Sequence, residues 1–167
     1  MCWLGKLENK HVAKEDIRVF KVCKLAFNKD IVPYFKPYQD IKTYREGETY
    51  YDSIGIEYSS QCSGLAEITQ GLHSYTIGNY EGSESLEACS TFICDGFTVI
   101  ESNREYNNNG ARIVLCTIPK GSIYYLNRRG EIVSNCLRVD KILNTRVTYD
   151  NIRDINNQMI SFKILGH

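Results

Sequence analysis

Apolar and polar residues alternate with a period of two through the early part of the chain. Ile17, Val19, Lys21, Cys23 and Leu25 fall on one side and Arg18, Phe20, Val22 and Lys24 on the other, which predicts a strand. The pattern changes at Arg112–Ile118, where β-branched and apolar residues run without interruption; such a short run predicts a central strand covered on both faces. Pro119 cannot donate to a ladder, so the strand ends there. Pro119, Lys120, Gly121 and Ser122 have the chemistry of a tight turn, with the glycine supplying a positive φ. Ile123–Leu126 resumes the extended pattern, Asn127–Gly130 turns again, and Glu131–Val133 follows. In Leu137–Leu143, Leu137, Val139 and Lys141 alternate with Arg138, Asp140 and Ile142, which predicts a half-exposed strand. The block 111–143 is the part the rest of the chain is organised around.

Elsewhere the pattern is weaker. Residues 1–14 read as a lead-in anchored by Trp3 and Leu4. Ile31–Phe35 reads as a short strand with Pro33 at an edge, and Thr43–Tyr51 as two extended pieces around a turn. Residues 52–70 are small and polar, which predicts a surface loop with a short helix at 64–68. Gly71 permits a close backbone approach before a short strand. One clear short helix is predicted at about 83–94, with Ser83 as N-cap, Glu84 and Glu87 in the first turn, and Leu86, Cys89, Phe92 and Ile93 as its apolar stripe. Phe97–Ile100 reads as a strand and 103–110 as a loop. Residues 144–167 form a C-terminal extension. There Ile160, Phe162 and Ile164 alternate, predicting an added strand that completes the sheet or pairs with a second copy in a homo-oligomer. The fold class is α+β and strand-dominated: a single domain, 1–167, on a twisted, mostly antiparallel sheet.

Composition narrows the function. Twenty basic and twenty acidic residues cancel, so the broad positive field of a nucleic-acid binder is missing and no nucleic-acid partner is expected. No apolar run is long enough to span a membrane and the start lacks a signal-peptide core, which predicts a cytoplasmic protein without a membrane partner. Seven scattered cysteines without CxxC pairs read as reduced thiols. Cys2 becomes an N-terminal thiol if Met1 is removed, but no oxyanion signature accompanies it.

No nucleotide-loop, hydrolase or metalloprotease motif occurs. The three histidines, His11, His73 and His167, lack metal-ligand spacing, so no metal and no cofactor is expected. His73, Ser74 and Tyr75 form a titratable and hydroxyl-bearing cluster suited to a ribose or phosphate; the alternative for His73 is a ring satisfied by a backbone carbonyl. Lys120 and Ser122 flank a turn whose amides can form an anion nest, or an ordinary hairpin. Tyr124 adds an aromatic hydroxyl. Arg128 can grip phosphate or carboxylate, or stay solvated. Glu131 is a candidate acid, or a solvent-facing strand end.

The MCW start, the segment IRVFKVCK, GLHSY and IPKGSIYYLNRRGEIVS together resemble a set of small uncharacterised proteins of phages and prophages of gut bacteria. The resemblance covers about residues 1–143 and implies a bacterial host cell and an anti-defence role, such as sequestering a nucleotide signal. The order of Gly71–Tyr75, the helix from Ser83, Val114–Gly121 and Glu131–Val133 is also similar to the ADP-ribosyltransferase layout. The early strand, though, lacks the His or Arg of those enzymes, with Arg18 close by. Three readings stay open. The first is a non-catalytic binder that sequesters an ADP-ribose-like or cyclic nucleotide ligand through His73, Ser74, Tyr75, Lys120, Ser122, Tyr124 and Arg128. The second is an ADP-ribosyltransferase-like enzyme with Glu131 on the ribose. The third is a module that docks on a host protein.

Overall fold

The structure, a computed structural model, describes residues 3–6, 9–26, 29–33, 43–58, 66–77, 111–127, 130–148 and 150–166. The predicted helix at 83–94, the strand at 97–100, the loop at 103–110, Cys2 and Arg128 lie outside the described residues.

The alternating run forms β3 (Ile17–Leu25) and the continuous apolar run forms β9 (Ala111–Ile118). They pair antiparallel over all of β9 and all but the last residue of β3, from Ile17↔Ile118 to Lys24↔Ala111. Around this pair lie β2 (Lys10–Val12), β4 (Ile31–Pro33), β5 (Thr49–Tyr51), β8 (Leu72–Thr76), β10 (Ile123–Leu126), β11 (Glu131–Ser134) and β12 (Cys136–Leu143). The order in the sheet is β2-β10-β11-β8-β3-β9-β12-β5, with β4 beside β3. A second sheet is built from β1 (Trp3–Gly5), β7 (Ala66–Gln70) and β6 (Gly55–Tyr58), in the order β1-β7-β6. Every pairing among these strands is antiparallel. The fold is α+β, strand-dominated and a single domain.

The large sheet cannot be flat. β11 passes into β12 through one residue, Asn135, yet β8, β3 and β9 stand between them in the sheet. In a flat sheet, four strand spacings would separate them by about 19 Å, while one linking residue spans roughly 7 Å. The sheet therefore curls until its flanks meet at Asn135. Its peptide marks the meeting: Asn135 N–H donates to Ile123 O of β10, and Asp52 N–H, just after β5, donates to Asn135 O, both at 3.1 Å.

Curling divides the interior in two. The concave face gathers Val19, Cys23, Val114, Cys116, Ile118, Ile132, Leu137 and Val139, with Tyr44 over them. The outer face carries Phe20, Val22, Ile113 and Leu115. A bulge between Val139 and Lys141 explains the imperfect alternation of β12. It shifts the phase by one, so that Ile142 packs with the concave cluster and Leu143 with the outer one.

Two expectations are corrected. The C-terminal extension is not an added strand: residues Ile152–Leu165 form a helix, α1. Ile155, Met159 and Phe162, spaced i, i+4, i+7, are buried against Phe20, Val22, Ile113 and Leu115, so helical spacing buries more apolar surface than the period-two reading of Ile160, Phe162 and Ile164. Asp154 in the first turn and Lys163 in the last suit the helix dipole, and Gly166 ends the helix in a left-handed conformation (φ 81°). Arg18 Nη1 donates to the carbonyls of Phe162 and Lys163 at 3.0 and 3.1 Å, satisfying groups the helix end leaves over. The second correction concerns 52–70, read as a loop with a short helix at 64–68. It contains β6 and β7 instead, because Ala66 and Ile68 alternate with Glu67 and Thr69 and bury one face.

Candidate functional site

The meeting of the two flanks leaves a cleft of about 770 Å³. Its walls come from four separate places: Lys10 on β2, the stretch from Tyr51 at the end of β5 through Ile54 to Ile56 on β6, Ile123 and Tyr125 on β10, and Asn135 at the corner. Lys10 stands directly opposite Tyr125 in the ladder. Tyr51 is 73 % exposed, so most of its surface faces solvent at the cleft. The Tyr51–Ile54 segment is fixed at three points. Gln70 Nε2 donates to Ser53 Oγ at 2.8 Å and to Asp52 Oδ1 at 3.3 Å, and the Asp52 amide is tied to the corner. The Asn135 side chain also accepts from Ile123 N–H at 2.9 Å, so the corner is held from both sides. Chemically the cleft offers an aromatic ring, an ammonium, a carboxylate and a hydroxyl over an apolar floor of Ile54, Ile123 and Tyr125.

None of the described residues singled out from sequence lines this cleft. Lys120 and Ser122 lie in the β9–β10 turn, whose amides are used internally. Lys120 N–H donates to Asp16 Oδ1 at 2.9 Å, Gly121 N–H to Ala13 O at 2.8 Å, and Ser122 N–H to Pro119 O at 3.1 Å. Ser122 Oγ also donates to Pro119 O, at 2.6 Å. The turn is an ordinary closed one, not an open anion nest. Tyr124 stacks on His11 at 5.1 Å. Glu131 is buried, not a solvent-facing strand end. Its backbone N–H donates to Asn127 Oδ1 at 3.0 Å, and Asn127 Nδ2 donates to its carboxylate at 3.3 Å, so it closes the turn between β10 and β11. Glu131 stands opposite Tyr75 in the ladder, and Tyr75 stacks on Phe20 at 5.3 Å. Arg18, the cation nearest the enzyme layout, is spent on the end of α1.

His73 and Ser74 occupy a different place. The β3–β8 ladder covers only Val19↔Thr76 and Phe20↔Tyr75. Where it ends, Lys21 Nζ donates to the His73 carbonyl. Lys21 is buried, with its ammonium 5.2 Å from the centre of the Tyr44 ring. Burial disfavours that ammonium, but attraction to Tyr44, Cys23 and Cys116 in their ionised forms and a hydrogen bond to Tyr44 hold its pKa above the ordinary lysine value. Burial pushes the Tyr44 phenol up, the Cys23 thiol up to about 12, and the Cys116 thiol higher still, so all three are neutral at neutral pH. Burial, aided by the charge of Lys21, lowers His73 to about 4. Its Nδ1 lies 3.2 Å from Gly71 O, while Nε2 makes no hydrogen bond, although the Ile68 carbonyl favours the protonated ring from nearby. Ser74 Oγ and Thr76 Oγ1 are likewise buried without a partner. Gly71 itself has φ 136°, and a Cβ there would collide with Val133 Cγ1, which is the close backbone approach its sequence position predicts.

Sequence reasoning missed Lys10, Tyr51, Asp52, Ser53 and Asn135 because they join only when the sheet closes. The one local signal was the Tyr50-Tyr51-Asp52 step from strand to polar segment. Among the described residues no group of His, Cys, Asp and Glu could hold a metal ion, and no helix is long and apolar enough to cross a membrane. No protein-family model, curated protein or solved structure matches this chain.

Proposed function

We propose that the protein binds a nucleotide-derived small molecule in the cleft where the sheet closes. The observation that carries this reading is the convergence of Tyr51, Lys10, Asp52 and Ser53 on one concavity whose walls are tied by hydrogen bonds. The volume, about 770 Å³, falls within the range of small-molecule sites, roughly 300–1,000 Å³. An exposed tyrosine ring can stack on a base. The Asp52 carboxylate can accept from ribose hydroxyls, and the Lys10 ammonium can bond a phosphate as a mobile point charge. Among the described residues no nucleophile paired with a base lines the cleft, which favours binding over turnover. In the phage setting implied by the resemblance, such binding would sequester a host signal of the ADP-ribose or cyclic-nucleotide kind.

The test is a thermal-shift series with NAD, ADP-ribose, cyclic ADP-ribose isomers and cyclic dinucleotides, with each ligand recovered and checked by chromatography. Binding at a hundredfold over Kd stabilises the native state by about 2.7 kcal/mol, and the ligand should return intact. Tyr51→Ala and Lys10→Ala should each weaken the shift without lowering the melting point of the free protein. A consumed ligand would favour the ADP-ribosyltransferase-like reading, for which the Glu131–Tyr75 pair is the relevant geometry. No shift with any member overturns both and leaves a protein partner.

A further inference from the structure

The end of the β3–β8 ladder holds a second constellation, apart from the cleft. Lys21 and Ser74 both project to the concave face. Val19 and Thr76 stand opposite one another there, and Lys21 and Ser74 follow at the next position on that face of each strand. The carbonyl that Lys21 Nζ engages belongs to the peptide whose nitrogen is that of Ser74, so the ammonium lies at the His73–Ser74 peptide. Ser74 and Thr76 are two residues apart on one strand face, about 7 Å along the strand. Both hydroxyls are buried without a partner.

A buried ammonium is ordinarily matched by a negative group. Among the described residues this one meets a neutral carbonyl, a phenol and two thiols, and no carboxylate. Two buried hydroxyls without acceptors lie on the same face of β8, each with a proton able to rotate. An ammonium at the His73–Ser74 peptide and two hydroxyl donors on the same face of β8 make a donor set that suits a compact monovalent anion. A water can take the hydroxyl bonds but leaves the charge unmatched; an anion answers both needs. We propose that Lys21, Ser74 and Thr76 form an interior site for a halide-sized inorganic anion, chloride being the one available in ordinary media.

The proposal is tested on the whole chain with sodium chloride, sodium bromide and sodium gluconate at equal ionic strength. The melting temperature should rise with the logarithm of chloride or bromide concentration and stay lower in gluconate. Crystals grown in bromide should give an anomalous peak beside Lys21 Nζ, Ser74 Oγ and Thr76 Oγ1. Ser74→Ala and Thr76→Val should each shrink the halide-dependent rise, and Lys21→Met should abolish it. Equal melting temperatures in all three salts, or a bromide peak only elsewhere, overturn the site. The mild Ser74→Ala variant and the wild-type salt series keep the test decisive if Lys21→Met fails to fold. Because the readout is a halide, failure here leaves the nucleotide cleft untouched, and the reverse also holds.

Discussion

Two parts of one sheet solve burial differently. Under α1, the outer face is closed by Phe20, Val22, Ile113, Leu115, Ile155, Met159 and Phe162, a hydrocarbon patch in which each side chain is matched by another. On the concave side, where β3 and β8 separate, the interior holds Lys21, Ser74, Thr76 and two thiols. Phe20 and Val22 belong to the first region, while Lys21, between them on the same strand, belongs to the second. A strand with period two can serve two solvents, and here it divides a dry core from a polar interior. The first region supplies stability. The second costs desolvation, since hydrocarbon side chains of equal volume in place of buried ions often stabilise as well or better.

The contrast can be broken from the hydrocarbon side first. Phe162→Ala should cost about 3–5 kcal/mol by leaving a cavity under α1 and removing the ring beneath Arg18, read by urea unfolding. A loss under 1 kcal/mol would mean that α1 is not stapled to the sheet by that ring. Next comes pH. His73 is held neutral, at about 4 against 6.5 unfolded, so its contribution is fully present above pH 6.5 and is lost as pH falls towards 4. Allowing for its partial exposure, the loss is on the order of 2 kcal/mol. His73→Gln should flatten that part of the stability–pH curve, and an unchanged curve would place the acid sensitivity elsewhere. Lys21→Met in halide-free buffer should change stability by no more than about 1 kcal/mol, because removing the charge and its desolvation offset one another. A large loss would assign the ammonium a structural role that Tyr44 and the His73 carbonyl alone do not explain. Smallest of all, Tyr51→Ala should alter the free protein's stability by less than about 0.5 kcal/mol, as expected for a mostly exposed ring. Alkylation mapping adds a chemical check: Cys23 and Cys116, buried and held as thiols, should label only after unfolding.

Much of the sheet was legible because its signals are local. The alternation of Ile17–Leu25, the run Arg112–Ile118, the stop at Pro119 and the turns at Gly121 and Gly130 are each written within a few residues, and each stands in the structure as read. The C-terminal helix was obscured because Ile160, Phe162 and Ile164 satisfy a period of two, and only counting back to Met159 and Ile155 reveals the longer period. β6 and β7 were hidden by small polar residues that resemble loop composition. The cleft was not legible at all. Lys10, Tyr51, Ile123 and Asn135 are far apart in the chain and meet only because β11 and β12 are joined through one residue. His73 and Ser74 were noticed for their chemistry, but Lys21, read on the same side of its strand as Val19 and Cys23, was not singled out.

The long β3–β9 ladder has a consequence for how the protein is made. Residue 17 pairs with residue 118, so when β3 leaves the ribosome its principal neighbour has not yet been synthesised. Until then one edge of an apolar strand stands open to any other chain. Pairings so distant in sequence form slowly, because loop closure must precede their reward. The nascent chain therefore passes through a vulnerable interval whose length is set by translation speed, and rare codons between β8 and β9 should lower the soluble yield while those after β12 should not.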